Sequence, residues 1–191
     1  MCKKSWSDWF LSTPAGHYFI KIDEDYLNNT YNFYGLRQKI PHFNAAFELI
    51  HGPYIDPEDR TSEWPDDIDN YGICLFGLLH ARYLLTEKGQ KRMHKKYING
   101  DFPQCPRTLC KGSKCLPYGK SDNIGQSEVL MFCPNCNDVY YMNNDESITM
   151  DGAFFGPNWV HPFLERYKEL VPDEIPEKYV PRIFGFHVAQ V

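Results

Sequence analysis

Four cysteines in two close pairs carry the most specific chemistry in the sequence. Cys105 and Cys110 sit in CPRTLC, and Cys133 and Cys136 sit in LMFCPNC, each pair opening on a Cys-Pro step. Two thiolates at short spacing occupy one side of a metal ion, and two such pairs complete a tetrahedron. Four sulfurs leave no position for water, so the cofactor implied is one structural Zn2+ per chain and not a catalytic ion. The competing reading is a cluster of buried, reduced cysteines without metal. Cys115 lies between the pairs and is the rival for a ligand position. Cys74 falls in an apolar helical stretch, where a small buried hydrophobe is the usual role, and Cys2 stands near the start.

The residues between the pairs are rich in Gly, Lys, Ser and Pro and suit two short strands and a turn, while DVYYMNN beyond Cys136 alternates as a strand. The clearest helical pattern runs from Ile68 to Asn99. Ile73, Phe76, Leu79 and Tyr83 line one side, and Leu75, Leu78, Leu84 and Leu85 widen the stripe. That breadth predicts a helix buried on most sides, with Gly89 separating it from a second helix, QKRMHKKYI. Nearer the start, Trp6, Trp9 and Phe10 follow helical spacing, HYFIKI reads as a short strand, and DEDYLNN as a helix start. Gly35 breaks that pattern, and HFNAAFELI resumes it after Pro41. Gly100 and Pro103 mark a boundary. Downstream, DGAFFG reads as a turn that buries Phe154 and Phe155, and PNWVHPFLERYKEL as a short helix. Pro176 and Pro181 make the last piece extended, and Phe184, Phe186 and Val188 alternate there, so they point the same way from a strand.

Composition narrows the function. The chain has 191 residues, 42% apolar and 24% charged, enough for a sizeable core, and its formal net charge of −5 argues against a main role in gripping phosphate backbones. No apolar run is long enough to span a bilayer, and MCKKSWSDWF lacks the apolar run of a secretory signal. Seven cysteines without an export signal make disulfides a weak reading, so a reducing, intracellular compartment is expected. No GxGxxG, GxxxxGK[ST], GxSxG or HExxH occurs, and no base-and-orienter pattern accompanies Cys115 or any His. His80 and His94 are ligands only if they reach the cysteines. Asp56, Glu58, Asp59, Glu63, Asp66 and Asp67 form an acidic loop, either a solvated surface or a docking patch for basic partners. Lys88, Lys91, Arg92, Lys95 and Lys96 cluster on the second helix. The alternative function is a nucleic-acid-binding zinc ribbon using Arg92, Lys95, Lys96, Arg107, Lys111 and Lys114, which the net charge and the acidic loop oppose. Ser5, with Asp8 three residues on, is a candidate acidic-directed phosphosite.

GLLHARYLLTEKGQ, GDFPQCPRTLC, LPYGKSD, CPNCNDVYY, DGAFFG and VPRIFGF, in this order and at these separations, resemble the regulatory (beta) subunit of casein kinase II, and WSDWF and IDEDYLNNTYNFYGL fit the same family. The resemblance covers essentially the whole chain. It implies an α+β fold: an α-helical domain over 1–100, a zinc ribbon of small antiparallel strands over 101–160, and a C-terminal helix with an extended kinase-docking segment over 161–191. It also implies Cys105, Cys110, Cys133 and Cys136 as zinc ligands, leaving Cys115 as an extra. The family subunit is not an enzyme. It pairs with itself through the ribbons and holds two catalytic (alpha) subunits in a heterotetramer, in cytoplasm and nucleus, stabilising them and modulating substrate selection. By position, Pro106, Thr108 and Val139 would lie on the dimer face, and Phe184, Phe186 and Val188 would dock on the catalytic subunit. Three departures stand out. Phe184 replaces a common Tyr, the acidic loop is interrupted by Pro57, Arg60, Trp64 and Pro65, and a Ser-Ser-Glu-Glu-like start is missing.

Overall fold

The computed structural model describes residues 4–60, 62, 64–141, 150–172 and 179–187. Val188, Glu63, Cys2 and Pro176 lie outside the described residues. The chain opens on a short helix, α1 (Trp6–Phe10), capped by Ser5. Ser5 Oγ accepts from the Asp8 N–H at 3.1 Å and donates to Asp8 Oδ2 at 2.8 Å. The Ser-x-x-Asp spacing thus serves the helix start, Ser5 capping the Asp8 N–H and the Asp8 carboxylate returning to the Ser5 hydroxyl. Lys21 bridges to the same carboxylate at 2.6 Å, and that hydrogen bond, with the one from Ser5, holds Asp8 below the usual carboxylate range.

Next come α2 (Glu24–Leu27), α3 (Phe43–His51), α4 (Ile68–Tyr83) and α5 (Glu87–Asn99). The apolar breadth of α4 is realised as burial: Leu75, Phe76, Leu79 and His80 are all sealed from solvent. Leu84 is buried beyond its end, whereas Leu85, expected in the same stripe, is half exposed because the helix has stopped. The break between α4 and α5 is not at Gly89. Thr86 ends the interruption, its side chain accepting from the Gly89 N–H at 3.1 Å, so Gly89 lies inside the first turn of α5. A threonine cap outweighed the helix-weakening glycine.

HYFIKI does not form a strand. Gly16–Tyr18 make a 3-10 turn, and the backbone then runs extended with no ladder partner among the described residues. The Ile20 N–H instead donates to His80 Nε2 at 3.2 Å, while His80 Nδ1 lies 2.8 Å from the Phe154 carbonyl oxygen. This imidazole is neutral, with its proton on Nδ1, because one nitrogen must accept and the other donate.

Beyond α5, three antiparallel strands form one sheet in the order β1 (Leu116–Tyr118), β2 (Leu130–Cys133), β3 (Asp138–Tyr141). Leu116, Phe132 and Val139 share one rung, and Tyr118, Leu130 and Tyr141 the next, all on one face. A 3-10 turn, Gly152–Phe154, then packs against α4. A Cβ on Gly77 would lie 2.4 Å from the Phe154 ring, so only glycine lets helix and turn approach this closely. Phe154 and Phe155 are buried as expected, and α6 (Val160–Arg166) buries Val160 and Phe163.

The last described segment is a hairpin, β4 (Arg182–Ile183) paired with β5 (Phe186–His187). Phe184 and Gly185 both have positive φ, 50° and 84°, the condition for a two-residue hairpin turn of type I′. Phe184 and Phe186 therefore do not alternate along one strand. Phe184 is the tip, and Phe186 pairs across the hairpin with Ile183.

Burial lowers the His80 pKa from 6.5 to about 4. The unfolded chain then takes up a proton before the folded one does. The resulting stability is complete above pH 6.5 and is lost as pH falls toward about 4. The loss should reach about 3 kcal/mol. Urea titrations across this range are expected to show a shallower acid loss for His80→Gln, whose amide keeps one donor and one acceptor, than for the parent chain. Parallel curves would remove His80 as the titrating group.

Candidate metal centre and exposed surfaces

Each cysteine pair sits on a tight turn. Cys110 ends the 3-10 turn Thr108–Cys110, and Lys111 follows in the left-handed region at φ 51°. Cys133 ends β2, the Asn137 N–H returns to its carbonyl at 2.9 Å, and Asn137 has φ 56°. The residue after the second cysteine of each pair thus turns the chain away, leaving both thiols of the pair on the inner side. The first turn is closed by the Cys105 N–H bonding to the Ser113 carbonyl at 2.7 Å.

The two turns face each other. The four Sγ atoms of Cys105, Cys110, Cys133 and Cys136 all lie within 4.8 Å of one another, and Cys105 and Cys136 are 3.9 Å apart. With Zn–S bonds of about 2.3 Å, tetrahedral sulfurs are separated by roughly 3.8 Å, so the donor set fits one such ion. Three of the cysteines are buried and Cys136 is half-buried. The Tyr140 hydroxyl stands 3.1 Å from Cys136 Sγ, and Arg107 Nη1 lies 3.8 Å from Cys110 Sγ. Donors of this kind orient and stabilise thiolates from outside the ligand set.

The four thiols differ in how readily they ionise. Burial, reinforced by neighbouring thiols, pushes the Cys105 thiol up to about 12. The contact with the Cys115 thiol, then burial, raises Cys133 further. At Cys136 burial acts upward, but donors from Tyr140 and the other thiols prevail and lower it. Cys115 is wholly buried behind Cys133, its N–H bonded to the Pro103 carbonyl at 3.0 Å, and it stands outside the four-sulfur set. His80 and His94 do not join the cluster. His94 stacks on Tyr167 with ring centroids 4.1 Å apart.

Around this centre, Pro106 and Thr108 are exposed on the first turn, and Val139 is half-buried on β3, on the same face as Tyr141, which is 71% exposed. At the hairpin, Phe184 is 97% and Phe186 78% exposed. In the acidic loop, Asp56, Glu58, Asp59, Asp66 and Asp67 are exposed. Its Arg60 forms a two-bond fork to Asp69 at 2.6 and 2.9 Å, so that cation is turned inward.

Most of the basic helix is occupied within the chain. Arg92 bonds the Lys21 carbonyl at 2.6 Å and pairs with Asp23, which Lys88 also bridges at 3.1 Å. Lys96 reaches Asp101 and lies over the Phe102 ring, and Lys114 donates to the Ile98 carbonyl. Lys95 is exposed. Tyr140 and Arg107 are contributors to the centre that spacing did not reveal, and the Tyr140 hydroxyl reaches Cys136 because the turn folds β3 back over the cysteines.

A family model described as the casein kinase II regulatory subunit matches residues 5–187. The chain is 39% identical over 183 residues to casein kinase II subunit beta of Schizosaccharomyces pombe, covering 96% of this chain and 78% of that one. It is 39% identical over 189 residues to putative casein kinase II subunit beta-4 of Arabidopsis thaliana, covering 96% and 65%. To casein kinase II subunit beta of Dictyostelium discoideum it is 36% identical over 185 residues, covering 96% and 68%. It thus spans between 65% and 78% of the length of these relatives. No helix among the described residues is long and apolar enough to cross a membrane. The chain belongs to the casein kinase II regulatory subunit family, which is regulatory and not catalytic.

Proposed function

We propose that this chain is a zinc-built adaptor that pairs with itself and holds two casein-kinase-II-type catalytic subunits in the cytoplasm and nucleus, stabilising them and modulating their choice of substrate. Cys105, Cys110, Cys133 and Cys136 hold one Zn2+, which supplies no chemistry beyond fixing the two turns. Pro106, Thr108 and Val139 belong to the face on which two ribbons meet. Ile183 and Phe186 form the apolar side of the docking hairpin, with Phe184 at its tip and Val188 following. The exposed acidic residues Asp56, Glu58, Asp59, Asp66 and Asp67, with Glu63, serve as a contact for basic segments of substrates, and Ser5 is the phosphate acceptor at the first helix.

The observation that carries this reading is the exposure of the hairpin. Ile183 and Phe186, on strands of two residues each, are 61% and 78% exposed, and Phe184 in the turn between them is 97% exposed. So small a strand pair is marginal in isolation, and aromatic side chains that open to water are the kind that dominate interface energies once covered. Family membership supplies the kinase as the partner.

Two outcomes test it. A structural zinc site of this type contributes on the order of 10–16 kcal/mol to folding in peptide models. Cys133→Ser is therefore expected to lose zinc, measured by metal analysis, and to sediment as a monomer. A stable dimer in that variant would detach dimerisation from the metal. Phe186→Ala should weaken binding of a catalytic subunit by about 1–3 kcal/mol in calorimetry while leaving the dimer intact. Unchanged affinity would move the docking surface away from the hairpin.

A further inference from the structure

A second apolar surface lies on the helical part. Between the 3-10 turn Thr30–Phe33 and α3 runs a groove of about 650 Å3. Phe33, Phe43 and Phe47 form its floor, their ring centroids 5.0 to 6.1 Å apart. Tyr31 and Tyr34 stand on its rim, each 85% exposed. Neither tyrosine hydroxyl has a hydrogen-bond partner among the described residues.

The rim is rigidly held. Tyr34 has φ −52° and ψ 127°, and Gly35 has φ 74°, the dihedrals of a type II turn. Arg82 of α4 donates to the Asn32 carbonyl at 2.6 Å and the Tyr34 carbonyl at 2.9 Å, fixing the backbone on both sides of Phe33. Ordering of the wall is thus completed by the fold itself, and a ligand does not bear that cost.

The chemistry of the walls selects the occupant. Arg37 is exposed on the wall, donating to Asn44 Oδ1 at 2.9 Å and lying 4.8 Å above the Phe43 ring. The exposed polar groups along the groove are donors, the two tyrosine hydroxyls, the Asn44 amide and the Arg37 guanidinium, with one carboxylate, Glu48. Glu48 makes no ion pair among the described residues. A polyproline II segment is the complement of this surface. Its prolines lack N–H groups and offer only carbonyl acceptors and flat apolar rings, and such segments dock in aromatic-lined grooves. Glu48, the groove's one carboxylate and without an ion pair among the described residues, offers a partner to a basic residue beside the prolines, while Arg37 is engaged with Asn44 and the Phe43 ring.

We propose that this groove docks a proline-rich peptide carrying a flanking Arg or Lys, with Tyr31 and Tyr34 clasping the prolines and Glu48 pairing with the cation. This surface is separate from the hairpin and the cysteine centre and does not depend on their proposed roles.

The test uses the full chain and a fluorescein-labelled peptide, Ala-Pro-Pro-Leu-Pro-Pro-Arg, followed by anisotropy. Saturable binding is expected, and Tyr34→Ala should weaken it about tenfold with an unchanged melting temperature. Glu48→Gln should weaken binding of this peptide several-fold but leave a peptide ending in Ala instead of Arg unaffected. An amphipathic helical peptide of equal charge, and a version with every Pro replaced by Ala, should not compete. No binding, equal binding by the helical or proline-free peptide, or binding indifferent to Tyr34→Ala would each overturn the assignment.

Discussion

Three segments far apart in sequence meet on the imidazole of His80, and the arrangement of the molecule depends on that meeting. A buried imidazole is stable only if neutral and only if each nitrogen finds a partner of the right kind. The Ile20 N–H supplies the donor, and the Phe154 carbonyl supplies the acceptor. Phe19 and Phe155 close around the ring at centroid distances of 4.7 and 5.1 Å. Because Phe154 lies beyond the three-stranded sheet, the same contact ties the cysteine-bearing part to the central helix. Gly77, one turn before His80, removes the side chain that would keep Phe154 away. Buried residues on both sides of residue 100 accordingly belong to one continuous core that runs from Trp6 to Phe163.

What the sequence revealed and what it concealed follow the range of the interactions. The breadth of α4 and the paired cysteines are local patterns, and both appear where periodicity and spacing put them. HYFIKI failed as a strand because its backbone N–H finds its partner sixty residues later in His80, a contact no local rule contains. Gly89 misled because propensity was weighed without the cap: Thr86 three residues earlier satisfies the glycine N–H directly. The alternation of Phe184 and Phe186 misled for a different reason. Period-two spacing looks the same in a continuous strand and across a two-residue turn, and only the positive φ values distinguish them.

The candidate metal centre was legible in its ligands and illegible in their surroundings. Cys115 follows Cys110 by only five positions and competes on spacing alone. Its exclusion comes from the backbone: its N–H is held by Pro103, and β1 begins at the next residue, placing its thiol behind Cys133. Tyr140 was missed because its role depends on the turn at Asn137 bringing β3 back toward Cys136. Cys115 and Tyr140 act in opposite directions. The Cys115 thiol makes Cys133 harder to ionise, while the Tyr140 hydroxyl helps Cys136 give up its proton. Of the four thiols, Cys136 alone is held below its ordinary range, while Cys105, Cys110 and Cys133 are raised by burial and by neighbouring thiols.

Charge explains why the proposed interfaces are aromatic or acidic and not basic. Among the cations considered for nucleic acid, Arg92, Lys96 and Lys114 hold loops and carboxylates of their own chain. Releasing them would take from the partly buried Asp23 one of its two cations and from Asp101 its Lys96, a cost that phosphate contacts in high-dielectric solvent would have to exceed. Among the described residues, the aromatic surfaces open to contact include the hairpin, the face carrying Tyr141 and the tyrosine-rimmed groove. At each, flat side chains with few rotatable bonds are already exposed, so association loses little side-chain entropy while removing large apolar area from water. A chain that engages several of its cations internally and leaves aromatics exposed at a hairpin and a groove is suited to recognising proteins by shape and apolar contact.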